Sequence, residues 1–415
     1  MRMNFVIFLI FLYLSACTPV TEMNGLETEL TPTGAIESPP ATSSPVPQAA
    51  FTEAPAPTQQ ASLEATVEAS PTLEASPTVP AQPSATLTDA VPATSTAEAL
   101  SAAGSNPSTA IIVDHRSVEL FEEIPDEYLA AARELRMVFA DRSVGVNINE
   151  GLDCLTAASW HQARAYCRND YTDTSATTWM NRTFTLNDYQ AGTVPSRILF
   201  EPDPVKYDRS NWDYAIVDGS WEEVLASFIN DIVPEYIDGK DVLSYQFNYF
   251  HIGQGTNIAS PEDGFFADLS HEGHYPNRER WDISDFEALE QQYPDKIFFH
   301  WTTSLSRSIG SAEGEAFNDQ MREYALTNNK ILFDVADILS HSESGQPCFD
   351  NRDGVEYCNN NRCENHPDDG EDLLAICQYY TTETDGGHLG SVSGGRVRVA
   401  KAFWVLMAKI AGWEG

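Results

Sequence analysis

Five short apolar runs, ELRMVFAD, WDYAIVD, DVLSYQFNYFHI, KIFFHWT and KILFDV, carry the β-branched and aromatic residues that favour strands, and each lies close to polar punctuation. Between and after them, apolar residues recur at helical spacing. In SWEEVLASFINDIV, residues Val224, Leu225, Phe228, Ile229 and Ile232 fall on one face behind Ser220, a residue type that caps helices. GEAFNDQMREYALTN repeats the pattern, and so does GGRVRVAKAFWVLMAKIAG through Val399, Phe403, Leu406 and Ile410. Strands that alternate with helices predict an α/β protein with a parallel sheet covered on both faces. Active sites in such sheets lie at the carboxyl ends of the strands. Ser143, in FADRSVGVNI, stands just past one such end.

The first quarter of the chain reads differently. Residues 1–17, MRMNFVIFLIFLYLSAC, hold a charged start, an apolar run shorter than the roughly 20 residues of a membrane-spanning helix, and small residues ahead of Cys17. That is the layout of a secretory signal, and Leu14-Ser15-Ala16-Cys17 resembles the lipobox of bacterial lipoproteins. The resemblance implies cleavage before Cys17, lipidation of that cysteine, and attachment to a membrane through the lipid alone. Residues 18–108 are dominated by Thr, Pro, Ser, Ala and Glu, with too little apolar surface to offset the entropy of ordering. They are expected to form a disordered tether spanning roughly 50 Å as a flexible coil and roughly 280 Å if extended. Residues 109–415 are expected to fold as one domain.

Charge narrows the partners. The 415-residue chain carries a formal net charge of −38, and the tether holds ten acidic residues and no basic one, so most of the excess belongs to the folded part. Such a surface repels phosphate backbones, which argues against nucleic acid as a partner. Six cysteines follow Cys17: Cys154, Cys167, Cys348, Cys358, Cys363 and Cys377. An even number in an exported chain favours disulfides. The local separation makes Cys154–Cys167 the preferred first bridge, and the pairing of the other four stays open. A structural zinc site that combines some of them with His366 is the alternative, although the spacing fits no tight pair-and-pair pattern.

A serine hydroxyl is a poor nucleophile at neutral pH and needs a base, usually an imidazole that a carboxylate holds in the right tautomer. The best partners are in TETDGGHLGS, where Asp385 and His388 are three apart across two glycines, just ahead of the last helical pattern. Close spacing and a pliable backbone would let the carboxylate reach Nδ1 and leave Nε2 for a serine. The blander readings are a helix-capping role for Ser143 and a loop-stabilising pair for Asp385 and His388.

A serine after the first strand, DGGHL before the final helix, and AFNDQMREYALTNNKILFDVADI ahead of it together resemble the SGNH, or GDSL-like, hydrolases over roughly residues 135–415. The resemblance implies a three-layer α/β/α, flavodoxin-like fold and an esterase or carbohydrate deacetylase that needs no cofactor. Carried over by position, Ser143 is the nucleophile, His388 the base and Asp385 the residue that orients it. Asn248, in YQFNYFH, would join the backbone N–H of Ser143 in an oxyanion hole, and Gly219 falls at the family's second-block glycine. The chain departs from the pattern in having Asp141-Arg142-Ser143 where the family has Gly-Asp-Ser, and in lacking Gly-x-Asn-Asp around the third block. The expected partner is an ester or an acylated carbohydrate, and a monomer is expected. The competing class is a surface carbohydrate-binding or adhesion domain on the same fold without activity.

Other candidates carry less. His271 and His274 in SHEGHYP lack the i, i+4 spacing of helical metal sites, and DNRDGVEYCNNNRCENHPDDGED misses the spacing of a calcium loop. No metal is therefore assigned. Trp160, Trp212, Trp221, Trp281 and Trp301 fit a sugar-stacking cleft or the core equally well.

Overall fold

In a computed structural model, the described residues are 109–415 except 172–180, 218–220, 249–251, 253–254, 261, 267–280, 306–311, 350–355, 360–361, 366–372, 384–386 and 391. Cys17, the tether, Gly219, His271, His274, His366 and Asp385 lie outside them. So does Ser220, the expected helix cap.

Strands β1 (Ile111–Val113), β2 (Met137–Asp141), β5 (Trp212–Ile216), β6 (Val242–Tyr245), β7 (Ile297–Trp301) and β8 (Ile331–Phe333) form one sheet in the order β1-β8-β7-β6-β2-β5. Every neighbouring pair is parallel. Two antiparallel pairs lie apart from it: β3 (Asn169–Tyr171) with β4 (Asn181–Thr183), and β9 (Glu356–Asn359) with β10 (Arg362–Asn365). The sheet is sandwiched as the alternation predicts, because successive side chains along a strand point to opposite faces. Met137 and Phe139 of β2 join one core, and Val138 and Ala140 join the other.

The first core packs under α1 (Asp126–Glu134) and α2 (Ser143–Leu155). A short helix α3 (Leu186–Gln190), opened by a Thr185–Asp188 capping box, lies in the long β4–β5 connection. The second core packs under α4 (Trp221–Ser227), α5 (Val233–Tyr236), α6 (Ile283–Gln292) and α7 (Ala312–Thr327). The first face is completed by α8 (Val335–Ser340) and α9 (Ser393–Ile410). The result is a three-layer α/β/α sandwich. Between α4 and α5, residues Phe228–Ile232 widen into a π-turn just ahead of Pro234, whose ring nitrogen has no proton for the helical ladder.

Setting β1 aside, the order β5-β2-β6-β7-β8 means that the chain steps one way from β2 to β5 and then the other way from β2 to β6. That reversal is a topological switch point, and crevices in open α/β sheets form there, at the carboxyl ends of the strands. Ser143 sits on it. The sequence reading took the Ser143 strand as the first of the sheet; it is the second, because the three-residue β1 adds an edge beside β8.

Two pieces of packing fix the elements that carry the site. The last helix is buried almost throughout, and at its closest approach to α2 a Cβ on Gly151 would stand 2.4 Å from the carbonyl oxygen of Arg396. Glycine is what lets the two helices touch there. The preferred disulfide, Cys154–Cys167, ties the end of α2 to the following loop, and Cys348–Cys377 closes the segment after α8. Cys358 and Cys363 face each other as backbone partners in the β9–β10 pair.

Trp160, Trp212, Trp281 and Trp301 are buried, so they belong to the core and form no sugar-stacking cleft. No described helix is long and apolar enough to cross a membrane, and the two disulfides suit an extracellular protein.

Candidate active site

β2 ends at Asp141, and the chain turns into α2 within a single residue, so that Ser143 is the first residue of the helix and Arg142 its cap. The Arg142 side chain makes no capping bond, and Ser143 does not cap the helix either. Capping is done from one residue further back. The Asp141 carboxylate accepts the backbone N–H of Gly145 at 2.6 Å, while Val146 N–H bonds to the Arg142 carbonyl at 3.1 Å. This occupies the third and fourth N–H groups of the helix and leaves those of Ser143 and Val144, at the positive end of the helix dipole, for a ligand. A Cβ on Gly145 would meet the Tyr214 ring at 2.7 Å and Asp141 Cβ at 2.8 Å, so the tight turn requires glycine. Tyr214 closes the turn from outside, its hydroxyl donating to the carbonyls of Asp141 and Arg142.

Freed from capping, the exposed Ser143 hydroxyl lies 2.6 Å from Nε2 of His388. These residues are 245 positions apart in sequence, and the loop that brings the imidazole back is tied at several points. One turn along α2 from the serine, Asn147 Oδ1 accepts the backbone N–H of Leu389 at 2.9 Å. Buried Thr381 donates its hydroxyl to the His388 carbonyl. Gly395, at the start of α9, packs so close to the Tyr380 carbonyl that a Cβ would stand 2.4 Å away.

The third member of the array is Glu383. Its carboxylate lies 2.8 and 3.0 Å from Nδ1 of His388 and also accepts the His388 backbone N–H at 2.9 Å. A carboxylate acceptor at Nδ1 places the ring proton there, which makes Nε2 the acceptor for the serine hydroxyl. The expected orienting residue, Asp385, lies outside the described residues, and among those described it is Glu383 that meets Nδ1. The glutamate is pre-set by its own backbone, whose N–H bonds to the Thr381 hydroxyl at 3.1 Å. Sequence reasoning missed Glu383, Thr381 and Asn147. Glu383 lies within TETDGGHLGS, five residues before His388, a separation that carries no signal of its own in a loop.

The electrostatics favour a protonatable base. The hydrogen bond from Glu383 raises the His388 pKa above its ordinary value, burial opposes it, and the charges of Glu383 and Asp141 add to the rise. Asp141 itself is fully buried. Desolvation pushes its carboxyl up to about 7, against the backbone N–H groups of Arg142 and Gly145, which pull it down. One of its oxygens, Oδ1, has no hydrogen-bond partner.

A carboxyl whose pKa rises on folding contributes stability that is complete below its unfolded value of about 3.9 and is lost as pH climbs through the folded value. From about pH 5 to about pH 7.5 the wild type is therefore expected to lose about 3 kcal/mol that an Asp141→Asn variant keeps. Urea denaturation of both proteins at the two pH values measures the difference, and equal slopes would show that Asp141 ionises without cost.

Asn248 lies three residues past the end of β6, next to β2 in the sheet. The register pairs Tyr245 with Ala140, and Gln246 N–H continues the ladder to the Ala140 carbonyl. Asn248 is thus at the height of Ser143 on the neighbouring strand path, and it is buried.

No family model matches the chain, and no curated protein and no solved structure matches it. The chemistry is therefore read from the residues. A hydroxyl, an imidazole and a carboxylate linked in series, beside unspent N–H groups at a helix start, can generate an alkoxide equivalent and stabilise an oxyanion.

Proposed function

We propose that the protein is a serine ester hydrolase of the SGNH type, held at the outer face of a membrane by lipid on Cys17. The observation that carries the proposal is the Ser143–His388–Glu383 series, with 2.6 Å from hydroxyl to imidazole and 2.8 Å from imidazole to carboxylate. His388 takes the proton as Ser143 Oγ attacks the ester carbonyl. The oxyanion forms against the Ser143 N–H, with the Asn248 amide as second donor, a contribution of about 3 to 4 kcal/mol per donor. His388 then returns the proton to the leaving alcohol, and water releases the acyl group by the same steps. The order of strands and the placement of serine and histidine support the SGNH reading. The altered Asp-Arg-Ser block is accounted for by Asp141, which sets the turn from one position further back.

A small acyl group on an extracellular carbohydrate is the proposed substrate. Supporting it are the signal-like N-terminus and a long Pro/Ser/Thr-rich segment that would let the domain reach a polymer.

Release of p-nitrophenol from its acetate ester across pH tests the proposal. The base works neutral, so kcat/KM is expected to rise with pH through one ionisation centred above about 6.5, the ordinary histidine value, because Glu383 raises it. No turnover at any pH would favour the non-catalytic binding domain.

A further inference from the structure

At the far edge of the same rim, the exits of β1 and β8 bring together His115, Asp337 and His341. The His115 and His341 rings stack face to face, with centroids 3.9 Å apart and planes 8° from parallel. His115 Nδ1 lies 2.5 Å from Asp337 Oδ1, and His341 Nδ1 lies 3.5 Å from Asp337 Oδ2. One donor atom from each of the three residues falls within 4.8 Å of the others, the sole such grouping of three among the described residues. Two imidazoles and a carboxylate are the donor set that borderline dications of the zinc type prefer.

The cluster is held from outside. The backbone N–H of His115 donates to Asp337 Oδ1 at 2.8 Å, which fixes the carboxylate. Asp114 caps the turn after β1 by accepting from the backbone N–H of Arg116 and Ser117. On the other side, His341 pairs with Pro347 in a β-bridge, and Cys348 N–H bonds to the Ser340 carbonyl beside the Cys348–Cys377 disulfide. All three side chains are half-buried, within reach of solvent but not splayed into it. His115 Nδ1 is bonded to the Asp337 carboxylate, and His341 Nδ1 donates to the Asp337 backbone carbonyl at 2.9 Å. A dication would replace both hydrogen bonds once each ring moved its proton to Nε2.

We propose that His115, Asp337 and His341 form a binding site for one zinc-type divalent cation, with water in the remaining position, which clasps the β1 exit to α8 and the disulfide-closed loop. The site is separate from the proposed catalytic array. Four strand spacings of about 4.8 Å, on the order of 19 Å, lie between β1 and β2, and the inference does not depend on hydrolase activity.

The test uses the mature chain without a histidine tag, stripped with EDTA and titrated with Zn²⁺ alone by calorimetry. One Zn²⁺ per chain is expected, together with a rise in Tm on zinc addition. Affinity is expected to drop at least about tenfold, and the rise in Tm to vanish, in His115→Ala and in His341→Ala. The metal-free Tm of each variant shows whether it folds. If neither does, zinc-edge X-ray absorption of the wild type decides, with two imidazoles and only nitrogen or oxygen ligands expected. No saturable binding, binding unchanged in both folded variants, or a sulfur ligand would overturn the proposal.

Discussion

Alanine in place of His388 is expected to lower kcat/KM for p-nitrophenyl acetate by on the order of 10⁴-fold while leaving the protein folded. Without the imidazole, the Ser143 hydroxyl keeps its place at the start of α2 but loses the proton acceptor at 2.6 Å. What remains is a helix start whose N–H groups can still polarise a carbonyl, so a residual rate should persist. The fold should hold because the loop is tied by other groups. Leu389 N–H to Asn147 and the backbone packing of Gly395 on Tyr380 do not involve the ring. Steady-state kinetics beside a thermal melt separate the two effects, and a variant that melts normally yet hydrolyses at the wild-type rate would remove His388 from the reaction.

The second large effect distinguishes the two acids near His388. Glu383→Gln keeps the shape of the side chain but replaces an acceptor-only carboxylate with an amide that can donate to Nδ1, which favours the wrong tautomer and loses the charge that stabilises the imidazolium. A loss of on the order of 10³-fold in kcat is expected, together with a fall in the pH midpoint, since Glu383 is the main cause of the raised His388 pKa. Asp385→Asn is expected to stay within about threefold of wild type, because Nδ1 is already engaged by both Glu383 oxygens. The opposite ranking of the two variants would return the orienting role to Asp385.

Strand and helix alternation carried the layer structure because apolar periodicity reports which face of each element is buried. It failed for β1, whose three residues are too few to show a period. The DVLSYQFNYFHI run also promised more strand than forms, since β6 stops at Tyr245, with one further ladder bond from Gln246 N–H to the Ala140 carbonyl. Ser143 and His388 were legible as a pair because the chemistry demands both and the fold class says where strand ends meet. Glu383 was not, because reach in a loop depends on backbone path: here the Thr381 hydroxyl and the His388 N–H fold the segment so that a residue five positions away meets the ring. Asp141 reads in sequence as a departure from a family pattern, and only the 2.6 Å bond to Gly145 reveals it as the cap that frees the serine. The pairing of His115 with Asp337 spans 222 positions and two strand exits, beyond what spacing can signal.

The central claim is that Ser143 is an activated nucleophile, and a fluorophosphonate probe tests it most directly. Mass spectrometry of the labelled, digested protein is predicted to place one phosphonyl group on Ser143, with labelling abolished in Ser143→Ala and slowed at least a thousandfold, to order of magnitude, in His388→Ala. A folded protein that takes up no probe, or labels equally well after Ser143→Ala, would contradict the account.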